Sequence, residues 1–290
     1  MQLLSVTTVN CRCATVVIAL SLIISSCATP DAVRDFAKSA RDVTAQFSPF
    51  VQDIAGSCIR RKLADRKVTE IEDESGPATA ACREDSDLAP DLLGSMDVLT
   101  KYLNALYRLA SNETVQYDTE IDSFAGKIQA SAKLPAPATE AVRGLAKFLA
   151  DAAASRYQRK KLAEAVKAAD RHVAALTSAL GRIVGVEYFR DLRNEEASLL
   201  SRYSNAMRAV DHNDGVALLL QLQWRRDFET LQKRKSAALA YQKALEKIRD
   251  SHKQLAEKST QWSASELAKE LGSYTASIQS LASSFSAASF

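Results

Sequence analysis

The sequence predicts an all-α protein, an elongated antiparallel helical bundle whose long helices pack as in spectrin or a coiled coil. Apolar residues recur at alternating steps of three and four along most of the 290-residue chain, which places them on one face of a helix. No long segment shows the period-two alternation that a β-sheet requires. The last proline is Pro137, so no residue of this type interrupts helices beyond it. Helices of ~40 residues would be ~60 Å long.

The first helix is predicted to begin at Thr29. This hydroxyl residue can cap the helix, Pro30 suits the first helical position, and Asp31 is an acid in the first turn. Pro49 lies inside the apolar repeat that follows, and we expect it to kink or divide the helix near Ser48. The repeat consists of Val33, Phe36, Ala40, Val43, Phe47, Phe50 and Ile54.

Residues 69–91 are predicted to form an acidic loop. Few of their side chains are apolar, and Gly76 and Pro77 lie in the middle. A calcium site is the alternative, but the spaced ligands and central glycine of a calcium-binding loop are missing. The solvated loop is therefore the favoured interpretation. Its carboxylates are Glu70, Glu72, Asp73, Glu74, Glu84, Asp85, Asp87 and Asp91.

Two further apolar repeats predict two more long helices. One runs over residues 92–128, falters at Ser111 and Asn112, and ends before Pro135, since proline cannot donate a hydrogen bond to the helix and restricts the residue before it. The next runs over residues 142–210. Gly181 and Gly185 lie within it and weaken the helix by about 1 kcal/mol each relative to alanine, so we expect a bend there.

The C-terminal part predicts a fourth long helix and a shorter final one. Residues 211–215 combine turn and cap formers, which separates the third repeat from the fourth, over residues 220–255. Ser263 and Glu266 have the spacing of a capping box. They predict the start of a final helix with an apolar face over residues 267–285.

The N-terminal segment has the composition of a bacterial leader. Arg12 precedes an apolar run over residues 14–24, and Ile24, Ser25, Ser26 and Cys27 follow. A membrane-spanning helix needs roughly 20 apolar residues, whereas the core of a signal peptide needs about 7 to 15. These last four residues resemble a lipobox, the processing site of bacterial lipoproteins. The alternatives are an ordinary secretory signal peptide and an uncleaved membrane anchor.

The lipoprotein resemblance covers the leader alone and implies a location. It implies that residues 1–26 are removed, that Cys27 is lipidated, and that residues 27–290 form one all-helical domain attached to a lipid bilayer in the cell envelope. Two or three acyl chains hold a protein stably on a membrane. Ala28 follows the modified cysteine and resembles the lipoproteins that are sorted to the outer membrane.

The cysteine count then indicates one disulfide bond. Of five cysteines, Cys11 and Cys13 leave with the leader and Cys27 carries the lipid, so Cys58 and Cys82 remain. The envelope permits disulfides, and a bridge would tie the acidic loop at its base. Two buried, unpaired thiols are the alternative.

No sequence motif indicates an enzyme, a cofactor or a metal site. Glycine-rich phosphate loops, nucleophile elbows and histidine pairs at helical spacing are all missing from the sequence. His172, His212 and His252 occur singly, and the two within helices are expected to be satisfied by their neighbours. Glu195 and Glu196 are adjacent and would point apart on a helix, so we expect a solvated face.

Charge argues against a nucleic-acid partner. The formal net charge is +3, too small for general attraction to nucleic acid.

Two functional classes remain for this sequence. The favoured function is a non-enzymatic interaction or scaffold module, in an envelope or secretion assembly or as an immunity or exclusion factor. The alternative is a ligand-binding or enzymatic bundle with a cavity near Trp224, Trp262 or His252.

Basic residues cluster at several points in this nearly neutral chain. Such clusters could contact anionic lipid headgroups or an acidic partner, but the favoured interpretation is an ordinary solvated helix face. One cluster contains Arg225, Arg226, Lys233, Arg234 and Lys235.

Overall fold

The structure is a computed structural model that describes residues 28–66, 75–116, 119–131, 133–154, 162–210, 214–258 and 264–286. Nearly all of these residues are helical, and none of them forms a β-strand. The predicted all-α fold class is therefore confirmed. Within the same ranges, no helix is both long and apolar enough to cross a membrane.

The described part of the chain contains α-helices and one π-helix, which we number in chain order. They are α1 (Ala28–Thr44), α2 (Ser48–Ala64), α3 (Ser75–Ala81), α4 (Arg83–Ala110), α5 (Glu120–Ser131), α6 (Ala136–Ala154), α7 (Leu162–Arg182), the π-helix (Ile183–Tyr188), α8 (Phe189–Ala209), α9 (Asp214–Lys258) and α10 (Ala264–Ser286).

The body of the molecule is a helical bundle around one continuous apolar core. Helix α1 packs against α4 and α10, α9 packs against α7 and α10, and α6 packs against α4 and α7. Met207 of the third repeat is exposed and Leu220 of the fourth is only half-buried, but many fully buried core residues do come from the predicted apolar repeats. They include Phe36, Leu99, Leu103, Leu106, Leu145, Val173, Leu176, Leu245, Ile248 and Leu271.

Side-chain hydrogen bonds show that α1 and α4 run in opposite directions. The Thr100 hydroxyl donates to the Thr44 hydroxyl oxygen over 2.9 Å. One turn along both helices, Arg41 donates to the Asn104 side-chain oxygen over 3.1 Å. The residue numbers fall on α1 as they rise on α4, so the two helices are antiparallel.

Helices α4 and α9 run in the same direction. The Tyr241 hydroxyl lies 3.9 Å from the Met96 sulfur, and the Tyr102 hydroxyl lies 2.6 Å from Nε2 of His252. Residue numbers therefore rise together on both helices. Because α1 is antiparallel to α4, the N-terminus of α1 lies near the C-terminal end of α9.

The bundle is elongated, with Ala28 and the start of α9 at opposite ends. Asp214 is about 40 Å from Tyr241 at 1.5 Å per helical residue. The ring of Tyr241 stacks on that of Phe47, with centroids 5.7 Å apart. From the end of α1 beside Phe47, the helix continues away from Asp214 for about 25 Å to Ala28. About 65 Å of the bundle axis therefore separates Ala28 from Asp214.

Two predicted helix breaks are present. Helix α1 ends at Thr44 and α2 begins at Ser48, with Pro49 in its first turn, so the predicted division near Ser48 is confirmed. The second repeat is also divided, because α4 ends at Ala110. Asn112 has a φ of 59°, a left-handed backbone that asparagine adopts more readily than most residues.

The predicted acidic loop is wrong from residue 75 onward. Residues 75–81 form α3, and α4 begins at Arg83 and continues through Pro90. Glu84 and Asp85 lie in the first turn of α4, where carboxylates are stabilised by the positive end of the helix dipole. The acidic composition therefore supports a helix start here. Residues 67–74 lie outside the described residues.

The bend expected at Gly181 and Gly185 is a π-helix over residues 183–188. This wider helical turn accommodates one extra residue. Gly185 is buried against Gln242 of α9, and a Cβ atom at Gly185 would lie 1.8 Å from the Gln242 Oε1 atom and 2.7 Å from its Cβ. Glycine is thus required for the close approach of the two helices.

Gly185→Ala is expected to lower the free energy of unfolding by about 1 to 3 kcal/mol, because the added methyl group overlaps Gln242. Gly181→Ala is the matched control. Its Cβ would meet no atom closer than 3.8 Å, so the higher helix propensity of alanine should stabilise the protein by up to about 1 kcal/mol. Urea denaturation followed by circular dichroism measures both. Equal effects of the two variants would contradict the close-approach argument.

Candidate functional site

The N-terminal part of α9 forms an antiparallel hairpin with α8. We call residues 199–210 and 214–231 the hairpin. Its helices are joined by a hydrogen bond of 2.6 Å from the Tyr203 hydroxyl to Asp227. The Trp224 ring contacts the rings of Tyr203 and Phe228, with centroids 5.6 and 5.3 Å away. Burial and the bond to Asp227 raise the pKa of Tyr203 to about 12, which keeps the hydroxyl protonated as a donor.

The hairpin concentrates exposed apolar side chains. Leu219 and Leu218 are 67% and 56% exposed, although burying a leucine is favourable by about 1.5 to 3 kcal/mol. Six of the eight large apolar side chains that are exposed within the described ranges belong to the hairpin. These six are Leu200, Met207, Val216, Leu218, Leu219 and Leu222. Clusters of this kind commonly mark interaction sites.

A shallow groove runs between the two helices of the hairpin. Its apolar lining comes mainly from Leu200, Met207, Leu220 and Trp224. Tyr203 is the titratable side chain of this lining, and its hydroxyl is already bonded to Asp227. The groove can therefore accept an apolar side chain of a partner, and the described residues that line it do not include the converging acid and base groups of a catalytic site.

A buried ionic cluster joins the base of α8 to α2. Glu195 is only 1% exposed and accepts hydrogen bonds from Arg60 at 2.5 Å and from the Ser57 hydroxyl at 2.7 Å. The guanidinium of Arg60 also donates to both oxygens of Asp53, over 2.8 and 2.9 Å. Burial alone would lower the pKa of Arg60, but the bonds to Glu195 and Asp53 outweigh it and raise the pKa.

Two further residues extend this cluster to the π-helix and to α9. The Tyr188 hydroxyl donates to Asp53 over 2.5 Å, and burial together with the negative charge of Asp53 raises the pKa of Tyr188. The Arg234 guanidinium lies 3.7 Å from Asp53 and 4.0 Å from Glu195. Four helical segments, namely α2, the π-helix, α8 and α9, are thus held together at the base of the hairpin.

The expectation that Glu195 and Glu196 are solvated is wrong. The two side chains do point apart, as the helix geometry requires. However, Glu195 enters the buried cluster, whereas Glu196 binds Gln232 and Lys235 of α9 at 2.6 and 2.9 Å. The adjacent pair thus joins α8 to α2 on one side and to α9 on the other.

The remaining cysteine pair is at bonding distance in the structure. The sulfur atoms of Cys58 and Cys82 are 2.02 Å apart and the Cα atoms 5.9 Å, which agrees with the predicted bridge. The bridge joins α2 to the start of α4. Asp85 is adjacent to the two cysteines. Its pKa is raised mainly by burial and, to a smaller extent, by the negative charge of Asp191. These three side chains could supply metal ligands only after reduction, because a bonded sulfur is no longer a thiolate.

Replacing both Cys58 and Cys82 by alanine should lower the free energy of unfolding by about 3 kcal/mol. The bridge closes a sequence separation of 24 residues, and the chain-entropy account gives about this loss for such a loop. Urea denaturation with and without reductant measures it. Reductant should reproduce the loss in the wild-type protein and leave the double variant unchanged; a wild-type protein insensitive to reductant would contradict the prediction.

His252 is a buried structural residue of the bundle. It is 0% exposed, and its ring nitrogens contact the Tyr102 hydroxyl at 2.6 Å and the Asp170 carboxylate at 2.8 Å. Both nitrogens are therefore engaged, as expected for a histidine satisfied by its neighbours. For His172, burial is the main cause of a lowered pKa, and the positive charge of Arg171 lowers it further. His212 and Trp262 lie outside the described residues.

The predicted lipidation residue, Cys27, lies just before the first described residue. Ala28 begins α1 at the end of the bundle opposite the hairpin. A lipid on Cys27 and the exposed hairpin would therefore be separated by about 65 Å along the bundle axis. This separation follows from the helix directions alone.

Comparison with known proteins gives no relative for this chain. No protein-family model matches it, and neither a curated protein nor a solved structure shows a match. The functional argument therefore depends on the residues themselves.

Proposed function

We propose that this protein is a lipoprotein of the bacterial envelope that acts as a non-enzymatic helical interaction module. Acylated Cys27 would hold it on a lipid bilayer, with the outer membrane favoured. The hairpin would bind a protein partner through the groove beside Leu200, Met207 and Trp224. Such a module would suit an envelope or secretion assembly, or an immunity or exclusion factor.

The observation that carries the proposal is the apolar lining of the groove in the hairpin, in which Leu200 and Met207 are exposed. A soluble protein seldom exposes a contiguous apolar patch unless something binds it. The hairpin is also held rigidly at its base by the buried cluster of Asp53, Arg60 and Glu195. A rigid apolar surface needs little ordering when a partner binds, which favours affinity.

Photo-crosslinking in the intact bacterium tests the partner. A photoreactive amino acid would replace Met207 in the groove and, as the control, exposed Lys253 near the opposite end of α9. We expect Met207 to yield a discrete crosslinked protein that mass spectrometry identifies, and Lys253 to yield none of it. Identical products from both positions, or no product from Met207, would count against the proposal.

Metabolic labelling tests the lipid anchor separately. The wild-type protein should incorporate labelled palmitate and remain with the membrane fraction. Cys27→Ser should lose the label, while Cys58→Ser with Cys82→Ser should retain it. A Cys27→Ser protein that is processed normally and stays on the membrane without lipid would show that the lipobox interpretation is incorrect.

A further inference from the structure

One face of α9 within the hairpin combines exposed leucines with arginines. Leu218, Leu219, Leu222, Arg225 and Arg226 are spaced at positions i, i+1, i+4, i+7 and i+8, which form one continuous helical stripe. We call these five residues the α9 stripe. All five side chains are exposed.

The α9 stripe is directed away from α8 and is separate from the groove. Trp224 and Asp227 are the residues of α9 that contact Tyr203 of α8. At 100° per residue, Leu222 lies about 160° around the helix from Trp224. A ligand on the α9 stripe therefore need not compete with one in the groove.

The arginines of the α9 stripe are available to an external anion. Within the described ranges, neither Arg225 nor Arg226 forms an ion pair or a side-chain hydrogen bond. The neighbouring carboxylate of Asp227 accepts bonds from Tyr203 and Gln223 instead. Glu229 is exposed one turn farther from the hairpin end. By contrast, Arg234 and Lys235 of the same basic segment are held by carboxylates.

A second copy of the chain fits this surface poorly if its α9 helix runs parallel. Two-fold pairing of this kind through the three leucines would place the same arginines of both copies opposite each other along one interface. Like charges at an interface are unfavourable. An anionic lipid surface has no such conflict, since it provides phosphates for the arginines and an apolar layer for the leucines.

The dimensions of the α9 stripe also suit a bilayer surface. About 10 Å of helix axis separates Leu219 from Arg226. Amphipathic helices in the interface bury their apolar face to a depth of about 5 to 10 Å, with basic side chains extending to the headgroups. With this part of α9 parallel to the bilayer surface, the leucines reach the boundary of the acyl chains while the arginine side chains extend back to the phosphates.

We propose that the α9 stripe is a lipid contact that binds anionic membrane surfaces. Leu218, Leu219 and Leu222 enter the headgroup boundary, and Arg225 and Arg226 pair with lipid phosphates. This goes beyond the lipid on Cys27, since the stripe needs no covalent modification. It gives the protein a membrane contact at the end of the bundle that lies farthest from Ala28.

Vesicle flotation with unlipidated protein tests the proposal. The protein would comprise residues 27–290 with Cys27→Ser, which retains every described helix. The probes are vesicles of phosphatidylcholine alone and vesicles of phosphatidylcholine with about 30% phosphatidylglycerol, which gives a moderate negative surface charge. We expect binding to the anionic vesicles that is at least about tenfold tighter and that weakens with salt.

Two double variants and two matched controls identify the residues. Arg225→Gln with Arg226→Gln should weaken binding to anionic vesicles by about 30-fold, given the usual contribution of one basic residue near such a surface. Leu219→Gln with Leu222→Gln should weaken it at least about tenfold. The control Lys243→Gln with Lys253→Gln removes the same charge elsewhere on α9.

The second control, Leu239→Gln, changes an exposed leucine outside the α9 stripe. Both controls should bind within about twofold of the parent protein, since they leave the stripe intact. Circular dichroism should show equal helicity for all variants. Absent vesicle binding, or equal loss in the controls, would overturn the proposal.

Sedimentation velocity on the same proteins tests for the second copy. The parent protein should remain monomeric under the conditions that give vesicle binding. A dimer that disappears in Leu219→Gln with Leu222→Gln would overturn the lipid contact. Photo-crosslinking at Met207 and palmitate labelling of Cys27 have separate readouts, so failure of the lipid contact is distinguishable from failure of the proposed function.

Discussion

Glu195→Ala is expected to lower the free energy of unfolding by about 4 kcal/mol. The variant removes an almost fully buried carboxylate that accepts bonds from Arg60 and Ser57. Breaking a buried ion pair from one side costs about 3 to 5 kcal/mol, because the remaining charge stays in a poorly solvated position. In the variant, Arg60 keeps its bonds to Asp53. Its side chain is already 31% exposed to water, which limits the loss of stability.

The adjacent residue provides the control for this prediction. Glu196→Ala removes a carboxylate that binds Lys235 at a half-buried site, so its effect should be about 1 kcal/mol or less. Urea denaturation followed by circular dichroism measures both variants. Equal destabilisation by the two substitutions would contradict the view that the buried cluster at the base of the hairpin is the stronger connection.

His252→Ala is expected to cost about 4 kcal/mol. It leaves a cavity in the core, and truncating a large buried side chain typically costs 3 to 5 kcal/mol. It also removes the partner of the Tyr102 hydroxyl, which lies 2.6 Å from the ring. An unsatisfied buried hydroxyl costs about 1 to 3 kcal/mol.

Lys253→Ala, at the next position of α9, is the control for His252. Its side chain is exposed and lies 3.8 Å from Glu257, so the change should stay within about 0.5 kcal/mol. A second variant, Tyr102→Phe, isolates the polar part of the effect. If His252→Ala proved no more destabilising than Lys253→Ala, the buried Tyr102, His252 and Asp170 arrangement could not be a stabilising element.

The fold class was predictable from the sequence because it depends on spacing alone. Steps of three and four keep residues such as Leu99, Leu103 and Leu106 on one face of a helix without knowledge of what they contact. The divisions at Pro49 and after Ala110 were also accessible, since they reflect local backbone preferences. The predicted acidic loop is wrong because low apolar content does not prevent a helix from starting there, and Glu84 and Asp85 are favourably placed in its first turn.

The candidate site was much less accessible. Glu195 meets Arg60 across 135 positions of sequence, and no local pattern indicates such a partnership. Leu218 and Leu219 precede the apolar repeat that begins at Leu220. Because three leucines follow one another, their spacing does not indicate which of them face outward. The sequence placed Arg225 and Arg234 in one basic cluster, but only the packing distinguishes them. The cysteine pair was inferred by counting, which needs no geometry.

The π-helix has a mechanical consequence for the hairpin. The π-helix follows α7 directly and α8 follows the π-helix, and the buried residues Leu180, Val184, Tyr188 and Leu192 keep a step of four through all three elements. Residues 162–209 therefore form one continuous helical segment. A displacement of the hairpin would therefore be transmitted along this continuous helix to the packed middle of the bundle.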